Sequence, residues 1–522
     1  MPDESCRAFD SITPIDPGVL QRFLVGVDAG PRQMSAAEVD ALGDPFARLL
    51  IAQGTFPRSA EAVVESIKAA VGAGTPLKRH SSFILGEGSQ LSVGPKTAGV
   101  DRSLRFVVTI GSGPDGPDIF LSAFDPKQPG GIELMAWDRN EGGFNFYRST
   151  GPKAIWMFAG NSRDALRDAT RGKGPFESHR SGALLMKELK SPWINWHSPD
   201  AGIAANVFAA HDRRRTHEWF KDKEPTGGLS FEAEAARPAI SRWADARFSR
   251  FESDGGNINR PTMIIEQILT TPTVNIATTH VESGALQPTD LLDLPTGFFI
   301  DAEGLSETLG LEAPPFFTVS GAIYAKSLEK FDSHLSDGTG FRQKGDTHFC
   351  FLALERAFED QVVLRKAITI GLLTRRLAAC LLMVDPWNPI FSGRRRALLA
   401  HLPATALIAN AKSSFSDEFS TAILDAAAAG PTGTPEAEFA ERWAVGTNFS
   451  RHFNSLLKDY YRAVKAQLRR QAGFDSYFRL AAERRRRFAS TMPIAEFSLL
   501  LPVTDIAAKT RSMQSDGTVR EG

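Results

Sequence analysis

The chain has 522 residues, 42% of them apolar and 23% charged, a balance that supports a large buried core and lies far from that of disordered segments. Its 60 Lys and Arg nearly cancel its 61 Asp and Glu, so no global field favours nucleic acid or an anionic membrane, either would need a local patch, and nucleic acid is not expected as a partner. The first residues are acidic and lack the basic and apolar regions of a secretory signal. No run reaches the ~18 to 20 apolar residues of a membrane span, and the expected location is cytoplasmic.

Two to four domain-sized regions are expected at this length. Residues 1–80 read as a helical N-terminal segment, in which Ser59 caps a helix over Ala60–Val71 with Ala62, Val63, Ile67 and Val71 on one stripe. Residues 81–345 read as a mixed α+β region. Short β-type runs begin at Ser82 and continue through Arg105–Ile110, Asp118–Phe124, Gly131–Trp137, Gly143–Arg148 and Ala154–Phe158. The Gly, Pro, Asp and Asn residues between them predict a largely antiparallel sheet. A short helix is then expected over Asn161–Arg171, a strand over Ser181–Leu189 and a helix over Ala201–Lys221. Strand-like pieces follow at Thr273–Thr279, Gly297–Ile300 and Phe316–Tyr324.

Residues 346–507 read as a helical bundle or cap. Its helical patterns cover Phe349–Val384, Arg394–Ala411, Ser416–Ala429, Pro435–Val445, Asn448–Ala472 and Asp475–Ser490, broken by prolines and glycines. Residues 508–522 are expected to form a disordered tail. The fold class is therefore α+β, a largely antiparallel sheet region followed by an all-helical C-terminal region.

Most familiar motifs are excluded. Gly111-Ser-Gly-Pro-Asp-Gly116 has the spacing of a dinucleotide-binding loop, but Pro114 and Pro117 interrupt the helix start it would need, so it reads as a connection between strands. No GxxxxGK[ST], GxSxG or HExxH pattern occurs. Cys6, Cys350 and Cys380 are too scattered for a disulfide framework, and the last two sit among apolar residues as buried thiols. The arginine runs Arg213–Arg215, Arg394–Arg396 and Arg484–Arg487 read as solvated helix faces with acidic neighbours.

One enrichment stands out. Six of the eight tryptophans lie between Trp137 and Trp243, together with His179, His197, His211 and His217. Tryptophan supplies apolar walls, and histidine supplies an acid, a base or a metal ligand near neutral pH. On an ideal helix His211 and Glu218 share a face, whereas His217 falls roughly 120° away. With His197, at the end of a strand-like run, they compose the two-histidine, one-carboxylate set of non-haem iron and some zinc sites. His197, His211 and Glu218 are accordingly the candidate catalytic and metal-ligating residues. A Trp-rich core with histidines at its rim is the alternative, with Trp156 and Trp193 expected to be buried. His280 and Glu282, two residues apart, form a second candidate pair.

The function expected from these residues is an enzyme acting on a small apolar or aromatic molecule. Its most concrete form is a metal-dependent oxidoreductase using non-haem iron or another divalent metal. A scaffold protein with a helical docking region and a non-covalent haem protein are the competing classes.

Overall fold

The computed structural model describes residues 16–71, 77, 79–85, 94–95, 105–113, 116–184, 208, 210–221, 231–253, 255–336, 340–346, 349–491 and 501–522. Two compact units divide the chain. The first comprises the residues up to Phe83, Arg105–Leu184 and Arg213–Lys223; the second consists chiefly of Glu224–Gly522.

The first unit is built on an eight-stranded sheet. Its strands are β1 (Gln21–Arg22), β2 (Arg32–Gln33), β3 (Arg79–Leu85), β4 (Arg105–Gly113), β5 (Gly116–Ala123), β6 (Ile132–Asp138), β7 (Gly143–Thr150) and β8 (Ile155–Asn161). The order is β2-β1-β8-β7-β6-β5-β4-β3. Strands β4 to β8 form an antiparallel meander, as the spacing of turn residues predicts, with registers such as Ile119↔Ala136 and Trp137↔Phe144. Strand β1 joins the β8 edge in parallel, Gln21 opposite Met157. The dinucleotide-like glycines belong to the β4–β5 connection: a Cβ on Gly111 would lie 2.8 Å from Pro117 Cα, so the close strand approach requires glycine there.

Almost every residue of β5 and β6 is buried, which is why these strands read as continuous apolar runs and not as alternations. The short helix α1 (Ala36–Asp40) buries none of its residues, whereas α2 (Pro45–Leu49) and α3 (Ala60–Ala70) supply further apolar faces. Ser59 caps α3 as expected, its hydroxyl accepting from Ala62 N, while the buried stripe is Ala60, Val63, Val64 and Ile67.

The tryptophans of this unit are core residues. Trp156 is fully buried, packs on Phe46 and donates to Pro57 O at 2.8 Å, and Trp137 meets Phe144 edge-on at 4.9 Å. Trp193 lies outside the described residues. The expected helix over 201–221 is replaced, where the chain is described, by a turn at His211, a 3-10 segment Arg213–Thr216 and the single turn α4 (Glu218–Lys221).

The second unit begins with α5 (Arg237–Ser253), β9 (Asn257–Ile258) and α6 (Thr262–Thr270). Strands β10 (Val274–Ala277), β11 (Leu291–Leu294) and β12 (Phe317–Ser320) precede α7 (Gly321–Lys330), and β13 (His334–Ser336), β14 (Arg342–Lys344) and β15 (Ala353–Arg356) follow it. The helical C-terminal region then runs through α8 (Phe358–Thr369), α9 (Arg375–Leu382), α10 (Gly393–Ala397), α11 (Phe415–Ala429), α12 (Pro435–Ala444), α13 (Phe449–Leu468) and α14 (Gln471–Thr491). Strand β16 (Ala406–Leu407) interrupts it, and the hairpin β17 (Arg511–Met513) and β18 (Val519–Glu521) closes the chain.

Three expectations are corrected here. The long helix over Phe349–Val384 is instead β15 followed by α8 and α9. All four residues of β15 are buried, and pairing with β10, Val274↔Arg356 through Ala277↔Ala353, satisfies its backbone across some eighty residues of sequence. Gly297–Ile300 is a 3-10 turn starting after Pro295, with no strand. The tail 508–522 is an ordered hairpin: Met513 is buried, Tyr477 donates to Gly517 O at 2.6 Å, and Asn388 donates to Met513 O at 3.0 Å.

The arginine runs are corrected as well. Arg395, Arg484 and Arg485 are each 3% exposed. Arg395 donates to the carbonyls of Val384, Asp385, Asn388 and Pro389, an arrangement in which backbone oxygens replace water around a buried guanidinium.

Candidate functional site

A cleft of about 260 Å³ opens in the second unit between the end of β10, the segment from β11 to Glu303, and the β15–α8 junction. Each wall follows from local sequence. In β11 the alternation Leu291, Leu292, Asp293, Leu294 buries the second and fourth residues and leaves Asp293 outside. Pro295 then breaks the strand into the turn Thr296–Phe298, and one turn of π-helix follows at Glu303–Thr308. Strand β15 supplies Glu355 and Arg356, and the first turn of α8 supplies Gln361.

Two buried carboxylates are seated against glycines. A Cβ on Gly297 would stand 2.2 Å from Glu355 Oε2, and one on Gly304 would stand 2.4 Å from Asp301 Oδ2, so neither position accepts a side chain without displacing an acid. Asp301 is tied on both sides. Its Oδ1 accepts from Gly304 N at 3.0 Å and its Oδ2 from Arg356 Nη1 at 2.6 Å, in an ion pair whose side chains are 8% and 3% exposed. Arg356 also donates through Nη2 to the carbonyls of Gln267 and Ile268 at the end of α6. Nη1 and Nη2 are therefore spent on the frame of the cleft, while Nε is buried without a hydrogen-bond partner.

Beside this frame the polar groups are less completely paired. Asn275 Nδ2 reaches Glu355 Oε1 at 3.4 Å, while Asn275 Oδ1 is buried without a hydrogen-bond partner. Gln361 lines the cleft, is 4% exposed, and its Oε1 has no partner. Neighbouring Asp360 accepts from Thr273 Oγ1 at 3.1 Å. Burial, reinforced by the charge of Glu359, pushes its carboxyl up to about 8.

The helical region holds the cleft's backbone in place. Arg484 of α14 donates to Phe298 O at 2.6 Å and lies over the Phe298 ring, Tyr460 of α13 donates to Phe299 O at 2.9 Å, and Arg485 donates to Leu352 O at 2.7 Å, one residue before β15. The residues that resemble an exposed basic patch in sequence thus act as buried clamps on two cleft walls.

Family models, curated proteins and solved structures give no match to the chain. The site must be read from its own chemistry. Of the residues singled out from sequence, His197 lies outside the described residues. His211 sits exposed in a turn, and Glu218, also exposed, opens α4, so their seven-residue separation does not run along one α-helix. Arg213, beside them, pairs with Asp125 at 2.7 Å. His217 is buried; Trp219 N donates to its Nδ1 at 3.2 Å, its Nε2 faces Glu61 at 3.3 Å, and burial lowers its affinity for a proton. His179 Nδ1 donates to Ala183 O at 3.0 Å, and burial holds the ring below the usual histidine range.

Among the described residues no three His, Cys, Asp or Glu side chains are gathered as for a metal ion, and no helix is long and apolar enough to cross a membrane. Cys350 and Cys380 are buried, with thiols pushed up to about 12 by that burial.

The second sequence candidate fares differently. His280 does line the cleft, exposed at its rim, but it lies beyond the end of β10, while Glu282 makes an isolated bridge with Phe349. Asp301, Glu303, Glu355, Arg356 and Gln361 escape the sequence reading. A signal for the last three exists in Glu355-Arg-Ala-Phe-Glu-Asp-Gln361, where a dense set of charges directly follows the apolar run Phe349–Leu354. Helical periodicity hides it, because the segment changes from strand to helix at Ala357.

Proposed function

We propose that the chain is a small-molecule enzyme whose ligand occupies the cleft of the second unit. The observation that carries this reading is Gln361, which lines a solvent-connected cavity and whose buried carbonyl oxygen has no hydrogen-bond partner. Native folds rarely leave such a group unsatisfied, since it costs about 1 to 3 kcal/mol, and a ligand donor would recover that cost. Glu303, Glu355 and His280 are among the lining groups able to give or take a proton in a reaction. The acidic lining favours a polar ligand over the apolar or aromatic one expected from the tryptophans.

Thermal shift of the full chain against panels of small amines, carboxylates, sugars and aromatic acids tests the reading, together with Ala302→Trp, which fills the cleft from its half-buried wall. At least one class should raise the melting temperature of the wild type and not of the variant. Hydrogen exchange should slow in 293–303 and 353–361. Equal responses of the two proteins, or protection confined to 208–221, would overturn the assignment and return attention to His211 and Glu218.

A further inference from the structure

We propose that the outer face of α13 is a docking surface for an acidic, extended protein segment. The inner face of this helix sets Phe453, Leu457, Tyr460, Tyr461, Val464 and Leu468 into the core. Its outer face carries Arg451, Lys458, Arg462 and Lys465, and Arg469 continues the row just past the last turn; all five are exposed. On a helix that turns about 100° per residue, these positions fall within about 60° of one another, along about 27 Å of the axis. No two of them are adjacent in sequence, so the row forms only when the chain winds.

Local stability does not account for this row. Residues three or four apart on a helix are neighbours, and Lys458 with Arg462, Arg462 with Lys465 and Lys465 with Arg469 each set like charges together. Arg451 stands in the first turn, which holds no acid and where the helix dipole disfavours a cation. Lys458 pairs with Glu312 at 3.4 Å and Arg462 with Asp459. Arg451, Lys465 and Arg469 have neither an ion pair nor a side-chain hydrogen bond among the described residues. The row is thus a local excess of positive charge on a chain whose formal net charge is -1.

Charge density selects the partner. A nucleic-acid duplex carries one negative charge per about 1.7 Å, so about 16 phosphates would lie along five cations and press on Glu312 and Asp459. Single strands are gripped by stacking on exposed aromatic rings, and Phe453, Tyr460 and Tyr461 are buried. A helix lying on a membrane sinks its apolar face into the lipid, and the apolar face of α13 is core. An extended peptide shows alternate side chains on one side at intervals of about 6.6 Å, so alternating acids place about four carboxylates over the same length, matching the cations. The three arginines of the row add bidentate geometry toward carboxylates.

Fluorescence anisotropy of the full chain with a labelled peptide of alternating Glu and Ser, about ten residues long, tests the assignment. A peptide of alternating Lys and Ser, a short duplex DNA and phosphatidylserine vesicles serve as comparators at the same salt concentration. The Glu peptide should bind and should weaken about tenfold as salt rises from about 0.05 to about 0.5 M, while the Lys peptide should not bind. Arg451→Gln, Lys465→Gln and Arg469→Gln combined should weaken binding about tenfold with no loss of melting temperature, since none of the three has an internal partner. Lys153→Gln, Arg396→Gln and Lys412→Gln combined remove three exposed cations elsewhere and should change binding less than about twofold.

Duplex DNA or vesicles binding more tightly than the Glu peptide would overturn the choice of partner and assign the row to that polyanion. No binding of the Glu peptide, equal binding of the Lys peptide, or equal losses in the two triple variants would overturn the docking surface itself.

Discussion

Each unit buries a network of polar side chains around an aspartate, and the two networks differ in how completely they are closed. In the first unit Asp44 caps α2 by accepting from Ala47 N at 2.9 Å and takes further hydrogen bonds from Asn145 Nδ2 at 2.8 Å and Tyr147 OH at 2.5 Å. Asp138 accepts from Gly43 N and from the same Asn145 side chain. These acceptors meet donors within the fold, as in a network whose role is to fix α2 on the sheet. In the second unit Asp360, Asn275 and Gln361 each keep a buried oxygen without a hydrogen-bond partner. A saturated network secures structure; the open one reaches the cleft through Gln361, where a ligand donor could complete it.

Mutations should separate the two. The largest effect is expected for Arg356→Met, which leaves Asp301 buried without its countercharge and should cost about 3 to 5 kcal/mol in denaturant unfolding. A loss below ~1 kcal/mol would mean that Asp301 finds another partner and that the cleft frame is less rigid than described. Next comes Tyr147→Phe in the closed network, where Asp44 would lose one donor; a loss of about 1 to 3 kcal/mol is expected from equilibrium unfolding.

The pH dependence of stability provides a smaller test. Both aspartates hold their protons more tightly when folded, Asp44 up to about 6 and Asp360 up to about 8, in each case first because of burial. Such groups stabilise the fold fully below the ordinary carboxylate range and lose that contribution as pH rises toward the folded value. The contribution of Asp44 should therefore fade by about pH 6, while that of Asp360 goes on falling to about pH 8, at no more than about 1.4 kcal/mol per pH unit. Asp360→Asn should flatten the curve between pH 6 and 8. An unchanged slope in that variant would assign the effect to another group.

The smallest expected effect is also the most discriminating. Gln361→Leu should leave stability within about 0.5 kcal/mol of the wild type or raise it, because the wild-type oxygen is already unsatisfied. A loss of ~2 kcal/mol in chemical denaturation would show that the second network is closed after all and that Gln361 is structural.

Much of the architecture was legible in the residues. The runs from Arg105 to Phe158 specified the meander because turn chemistry and apolar runs act locally. The patterns over Ser416–Ala429, Pro435–Val445, Asn448–Ala472 and Asp475–Ser490 specified α11 to α14 because one apolar stripe per helix suffices. Burial of Trp156, Cys350 and Cys380 followed from apolar neighbours in sequence.

What escaped was set by partners distant in the chain. Ala353–Arg356 has no strand signature of its own and becomes β15 because Val274–Ala277 lies alongside it. Arg484 and Arg485 look like a solvated basic face until the carbonyls of Phe298 and Leu352, more than a hundred residues away, accept their hydrogen bonds. The closing hairpin is ordered because Tyr477 and Asn388 bind its backbone. Composition and periodicity determine which segments wind, pair or turn, since those choices rest on the nearest few residues. Only tertiary packing decides which polar groups are satisfied within the chain and which, like Gln361 Oε1 in the cleft wall, remain open.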